Sequence, residues 1–168
     1  MSTLLDNIKR TTQAFIDGYS EWNIDSIMEY RDEKCTQTLS PKSLGDISWT
    51  NEGYRKYFSI MMTLFHDFNV WAEDQTYDVI ARKSAFRMHS VATSSIGKYS
   101  TEYAIFLDLN EDGTKVTRIV EMVDTAYSAK FFGQLMEHAR SQGDEKERAW
   151  LIAVEASNMV SKKADKDE

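Results

Sequence analysis

Leu4, Leu5, Ile8, Thr12, Phe15, Ile16 and Tyr19 recur at helical spacing with polar residues between them, and Gly18 lies near the end of the run. That periodicity predicts a first amphipathic helix. Asn23 is a good N-cap for a short second helix carrying Ile24, Ile27, Met28 and Tyr30. Residues 35–39, CTQTL, read as a short strand before a turn at Ser40-Pro41, which holds the chain's single proline. With Thr50 or Asn51 as a cap, NEGYRKYFSIMMTLF predicts a third helix whose apolar side carries Tyr54, Tyr57, Phe58, Met61, Met62 and Phe65.

The period then changes to two. Segments 68–80, 82–93, 99–109 and 115–123 are rich in aromatic and β-branched residues, with turn signals between them. The clearest turns are Asn110-Glu111-Asp112-Gly113 and Ser94-Ser95-Ile96-Gly97. Loops this short join antiparallel neighbours, because a parallel crossover needs about a dozen residues or more. A last helix is expected from residue 126 to about 138. The order predicts an α+β fold: a curved antiparallel sheet with helices covering one face. Residues 1–140 would form this domain and 141–160 a helical extension, with Trp150, Ala153, Ala156 and Val160 near helical spacing. Residues 161–168, SKKADKDE, are expected to be a disordered polar tail.

Alternation sorts the strand residues into two sets. Ser84, Phe86, Met88, Ser90 and Ala92 oppose Lys83, Ala85, Arg87, His89 and Val91. Tyr99, Thr101, Tyr103, Ile105 and Leu107 oppose Ser100, Glu102, Ala104, Phe106 and Asp108. Thr117, Ile119, Glu121 and Val123 oppose Val116, Arg118, Val120, Met122 and Asp124. Neither set is purely polar, which points to one face under helices and the other in a homodimer.

Composition narrows the partners. The 168 residues suit one domain, and 42% hydrophobic with 12% aromatic content supplies a core. A net charge of -7 disfavours sequence-blind binding to nucleic acid. The start, MSTLLDNIKRTTQAF, shows no signal peptide or membrane span, so a cytoplasmic protein is expected. Cys35 alone makes no disulfide framework and no thiolate cluster for zinc. Three scattered histidines, His66, His89 and His138, make no metal motif, and no Gly-rich phosphate loop is present, so neither metal nor cofactor is expected.

Glu102, Glu121, Asp124, Arg87 and His89 interrupt otherwise apolar strands, where unpaired charge is costly. A carboxylate in an apolar cavity has a raised pKa, which suits proton transfer near neutral pH. Each candidate also has a plain structural reading. Asp124, just before the last helix, is either its N-cap or a pocket acid/base. Glu121 either enters the pocket or pairs with Arg118, Arg87 or a dimer mate, and Glu102, between Thr101 and Tyr103 in a strand that turns apolar, is a further pocket candidate. His89 is a general base or a surface histidine beside Arg87, and His66 bonds the third helix's last carbonyls or points into the cavity mouth. Tyr19, Tyr30, Tyr54, Tyr57, Tyr103 and Trp49 either line a pocket with phenol and indole donors or pack in the core. Phe58, Met62, Met88 and Met122 offer an apolar, adaptable lining, with Arg87 and His89 as polar additions, or are simply packing.

The stretch YSTEY at residues 99–103, continuing to DLNEDGTKVTRIVEMVDTAYSAKFFGQL, resembles the closing half of the SnoaL-like group of the nuclear transport factor 2-like cone fold. FIDGYSEWNIDSIM, NEGYRKYFS and Met122-Val123-Asp124 resemble segments of small fungal proteins of meroterpenoid pathways, of the austinol, terretonin and novofumigatonin type. The resemblance spans roughly residues 4–138. It implies a cone-shaped sheet enclosing a pocket, a homodimer, and a cofactor-free enzyme moving protons on an apolar, oxygenated polyketide–terpenoid substrate. In the group's cyclases an aspartate ending the last strand is the acid/base, a place that Asp124 occupies. The longer segment before Gln134-Leu135 and the lack of a last-strand tryptophan favour the isomerase type over the cyclases. In the mechanism so implied, Asp124 or Glu121 removes a proton next to a carbonyl. Glu102, His66 or a tyrosine then stabilises the enolate or alkoxide, and ring or lactone rearrangement, with or without hydrolysis, follows. The alternatives are a polyketide cyclase or dehydratase and a non-catalytic binding protein of the same fold.

Overall fold

The computed structural model describes the backbone of residues 3–164 and the side chains of residues 3–155. Side-chain caps set the helix starts. Thr3 and Asp6 form a reciprocal capping box at α1 (Leu4–Ser20), and Asn23 caps α2 (Ile24–Glu29). Thr50 rather than Asn51 caps α3 (Asn51–Met62), accepting from the Gly53 N–H.

The strands are β1 (Arg31–Ser40), β2 (Ser48–Thr50), β3 (His66–Asp78), β4 (Lys83–Ser94), β5 (Gly97–Leu109) and β6 (Val116–Val123). They form one sheet in the order β2-β1-β6-β5-β4-β3. The hairpins are antiparallel, as their short turns require, but β1 lies parallel to β6. β1 is longer than residues 35–39, because pairing with β6 on one side and β2 on the other extends it to ten residues. β2 has only three residues, too few for a period to show. β3 ends at Asp78, before residue 80, and Ile80 stands 94% exposed at the tip of the turn.

The sheet has an inner and an outer face. Inside, Phe86 and Met88 of β4, Ile105 and Leu107 of β5, and Val116 and Ile119 of β6 meet Ile8, Phe15, Ile16 and Tyr19 of α1 and Ile27 of α2. A second core lies beside it, where Met61 of α3 and Phe65 meet Tyr99 of β5 and Phe131 and Leu135 of α4 (Thr125–Ser141). α5 (Glu145–Ala164) completes that core with the buried pair Trp150 and Leu151. The extension thus belongs to the packing of the domain through its first turns. The side chains of Ala156 and Val160, and residues 165–168 of the expected tail, lie outside the described residues. The outer face keeps Trp71, Phe106 and Met122 exposed at 40%, 46% and 45%. No helix among the described residues is long and apolar enough to cross a membrane.

The β5–β6 turn docks on α1. Asn7 Nδ2 donates to the Asp112 carbonyl at 2.7 Å, and the Thr11 hydroxyl donates to the Gly113 carbonyl at 2.7 Å. Gly113 has φ +73, and a Cβ there would meet Ile8 and Leu4 at 3.0–3.2 Å. Gly113→Ala is therefore expected to cost about 1–3 kcal/mol, from left-handed strain and from pushing α1 off the sheet. A urea midpoint lowered without a change in slope is the expected result.

Candidate active site

Register decides which charged strand residue enters the molecule. β5 and β6 pair Tyr103 with Val123, Ile105 with Glu121 and Leu107 with Ile119, so Glu121 shares the inner face with core residues. The intervening pairs, Ala104 with Met122 and Phe106 with Val120, face out. Glu121 therefore lines a cavity of about 60 Å³ under α1 and α3. Tyr19, Tyr54, Phe58, Met88 and Tyr103 line it too, as the sequence pattern allowed.

The other expected site residues lie elsewhere. Asp124 is exposed and caps α4, accepting from the Tyr127 N–H at 3.1 Å. The strand ends one residue before it, so its carboxylate serves the helix end and not the cavity. Glu102 pairs across the ladder with His89 on the outer face, where its Oε1 lies 3.3 Å from His89 Nδ1. His89 stacks on Trp71, and Arg87 bridges Glu73 and Asp74 at 2.8 and 2.9 Å on the same side. Met122 is on that outer face as well, and His66 is exposed at the start of β3. Trp49 and Met62 pack against the first core without lining the cavity, Trp49 being stacked on Tyr57 at 5.0 Å. Strand parity thus removes Glu102, Arg87, His89 and Met122 from the pocket, and the helix cap removes Asp124.

In their place the structure adds Gln37, Trp22, Phe68 and Tyr99. Gln37 Nε2 donates to Glu121 Oε2 at 2.7 Å, and Arg31 NH2 donates to Gln37 Oε1 at 2.5 Å. The same guanidinium nitrogen lies 3.5 Å from the Tyr19 hydroxyl, which shares a 2.7 Å hydrogen bond with the Tyr54 hydroxyl. Across the cavity, the hydroxyls of Ser90, Tyr103 and Tyr99 form a chain with links of 3.0 and 2.9 Å. One signal for Gln37 was present, since it alternates with buried Cys35 along β1. Trp22 gave none, because it sits in the turn between α1 and α2.

No protein-family model matches the chain. The monooxygenase nsrQ of Aspergillus novofumigatus is 31% identical over 125 residues, which is 74% of this chain and 83% of that protein. The austinoid biosynthesis cluster protein F of Aspergillus calidoustus is 30% identical over 128 residues, covering 74% of this chain and 73% of the other. The chain belongs to the SnoaL-like family of fungal meroterpenoid-cluster proteins. Its fold is the nuclear transport factor 2-like cone. The crystal structure of the BvnE pinacolase from Penicillium brevicompactum shares it, with a TM-score of 0.76 at 24% identity over 80% of this chain and 94% of that one.

The cavity is lined mainly by aromatic rings. Trp22 stacks on Phe68 at 3.8 Å and meets Phe58 edge-on at 5.7 Å. Trp22 has φ +50, an unfavourable region for a bulky side chain, so the turn holds its ring in the cavity wall at a cost in strain. Burial raises the pKa of Glu121, opposed by the Gln37 hydrogen bond and the Arg31 charge. Burial also raises the pKa values of Tyr19, Tyr54, Tyr99 and Tyr103, which keeps these phenols protonated as hydrogen-bond donors. The arrangement offers one carboxyl able to hold or release a proton, facing neutral hydroxyl donors in an apolar wall. Among the described residues no group of His, Cys, Asp and Glu is placed to hold a metal ion.

A raised carboxyl pKa has a defined thermodynamic sign. The folded state binds the proton more tightly than the unfolded chain, so stability from this group is full below about pH 4 and is lost as pH rises through the folded value. Glu121→Gln keeps an oxygen to accept from Gln37 and removes that loss. Its melting temperature should exceed that of the wild type at pH 7, by about 2–4 °C for each kcal/mol released, and converge with it in acid. Asp124→Ala should instead cost about 1 kcal/mol through the lost cap.

Proposed function

We propose that this protein is an acid/base isomerase that rearranges a ring or lactone of an apolar, oxygenated polyketide–terpenoid intermediate, with Glu121 as the group that moves the proton. The observation carrying this reading is Glu121, among the described residues the one carboxyl lining the cavity, destabilised as an anion and surrounded by phenols. The ionised form takes a proton from carbon next to a substrate carbonyl. A hydroxyl of the Tyr99–Tyr103–Ser90 chain donates to the carbonyl oxygen as it becomes an enolate. The protonated Glu121 then returns the proton at another position, so no atom is gained or lost and no cofactor is consumed. The relatives named for austinoid biosynthesis support the substrate class. A drug-sized ligand fills roughly 300 Å³ or more, well above the cavity's present size, so Trp22 and its neighbours must swing away on binding.

The name monooxygenase carried by nsrQ favours a second reading. There Glu121 deprotonates an electron-rich CH₂ group, and dioxygen oxidises that carbon to a carbonyl with release of one water. The substrate itself supplies the electrons. Both readings use the same base and differ in product mass.

Purified protein incubated with a panel of meroterpenoid and polyketide lactones, analysed by liquid chromatography and mass spectrometry, separates them. A product of unchanged mass and shifted retention is expected. Glu121→Gln should lower its rate about 10²–10⁴-fold, while Asp124→Asn keeps it. A mass gain of one dioxygen less one water, absent under nitrogen, identifies the oxygenase, and a gain of one water identifies hydrolysis. Full turnover by Glu121→Gln would refute the role given to this residue.

We also assign the outer sheet face, with Trp71, Phe106 and Met122 exposed, to contact with a second copy of the chain. Light scattering should show a dimer, and Phe106→Glu should return a folded monomer.

A further inference from the structure

We infer that Arg31 is a positioning residue that acts through Gln37, committing Oε2 of Glu121 to a fixed hydrogen bond and leaving Oε1 as the oxygen that exchanges the proton. The inference rests on the role proposed for Glu121. Its basis is the direction of each hydrogen bond. A guanidinium has donors only, so the oxygen of the Gln37 amide must face Arg31 NH2 at 2.5 Å. The NH₂ end must then face Glu121 Oε2, at 2.7 Å. The amide cannot flip without setting donor against donor and leaving a carbonyl oxygen facing a carboxylate. Gln37 is 1% exposed and Arg31 6%, so water does not replace either partner.

The neutral amide also sets the strength of the field. A guanidinium bonded directly to Glu121 would hold the carboxyl ionised, since an adjacent opposite charge stabilises the anion. Placed one amide farther away, the same charge is weakened by distance. Arg31 is held there by the Tyr54 ring, 4.2 Å from its Cζ, and by the Tyr19 hydroxyl. Its Nε and NH1 are buried without hydrogen-bond partners. An arginine kept at that cost is explained by what its third nitrogen does. The titratable groups around Glu121 are Arg31 of β1, Tyr19 of α1, Tyr54 and Tyr57 of α3, and Tyr99 and Tyr103 of β5. All these tyrosines are neutral, so Arg31 is the charge among them.

The test is ¹³C NMR titration of the Glu121 carboxyl in protein labelled at the glutamate side-chain carboxyl, assigned with Glu121→Gln. Gln37→Leu and Arg31→Met should each raise the titration midpoint of Glu121. In the Gln37→Leu background the effect of Arg31→Met should be smaller, because the part relayed by the oriented amide is gone and only the distant charge remains. Arg31→Gln, which keeps an N–H donor for the amide and drops the charge, serves if Arg31→Met does not fold, and should raise the midpoint by less. An unchanged midpoint in the Arg31 variants, or an equal effect with and without Gln37, overturns the inference. With a turned-over substrate, Arg31→Met should move the acid limb of the pH–rate profile upward in parallel with the midpoint. Turnover that survives Glu121→Gln would refute the catalytic role while leaving these titrations readable, so the two failures are distinct.

Discussion

A carboxyl group on the inner face of an apolar sheet loses its water, and the surrounding structure has to supply something in exchange. Here the exchange is partial. Gln37 gives one hydrogen bond to Glu121, and Arg31 gives a charge set back by one amide. Full compensation would leave an inert carboxylate, and none would leave an acid too weak to ionise near neutral pH. The proton-transfer role proposed for Glu121 depends on that intermediate state. So do the surrounding choices: phenols rather than lysines on the facing wall, and an arginine parked against the Tyr54 ring.

The path from chain to site runs through register. Each β5 residue faces its partner on β6 with side chains on alternate faces, so a slip of one residue would bury Met122 and expel Glu121. The Asn110–Gly113 turn, docked on α1 by Asn7 and Thr11, helps to fix that register and presses α1 onto the inner face. The parallel pairing of β1 with β6 then brings Gln37 beside Glu121, although 84 residues separate them. A contact of this range is paid for by the whole fold, which ties the stability of the domain to the geometry of Glu121.

Much of this was legible in the chain. The second and third helix caps, the hairpin turns and the sorting of strand residues into two sets came directly from local pattern, and the sets proved to be the true faces except at Val116, which the register shift at Asp108/Leu109 turns into the core. Pattern says which residues share a face but not which face looks inward. Glu121 and Asp124 therefore could not be ranked until the helices were seen to cover the side bearing Ile105 and Ile119. Asp124 was attractive because it ends the last strand, where the family resemblance set an acid. In the structure the strand stops one residue earlier, and the Tyr127 N–H takes the carboxylate as a helix cap. Arg31, Gln37 and Trp22 were missed for another reason. Their roles arise from neighbours distant in sequence, and a lone glutamine or a turn tryptophan has no period to betray it.

The aromatic mouth sets a further constraint on any mechanism here. Trp22 is held at positive φ and stacked on Phe68, so the turn stores backbone strain where it places the ring. The first core supports the carboxyl from below, while the second, built around Phe131, Leu135 and Trp150, braces α3 from the side. Phe58 lies against both cores and against Trp22, so displacing the plug must disturb the junction between them. A substrate that opens the mouth therefore works against packing while leaving the Arg31–Gln37–Glu121 line, anchored on strands, in place. In the proposed reaction, expansion at the helices and rigidity at the sheet would let one cavity accept a large apolar molecule and still present the Glu121 proton from a fixed oxygen.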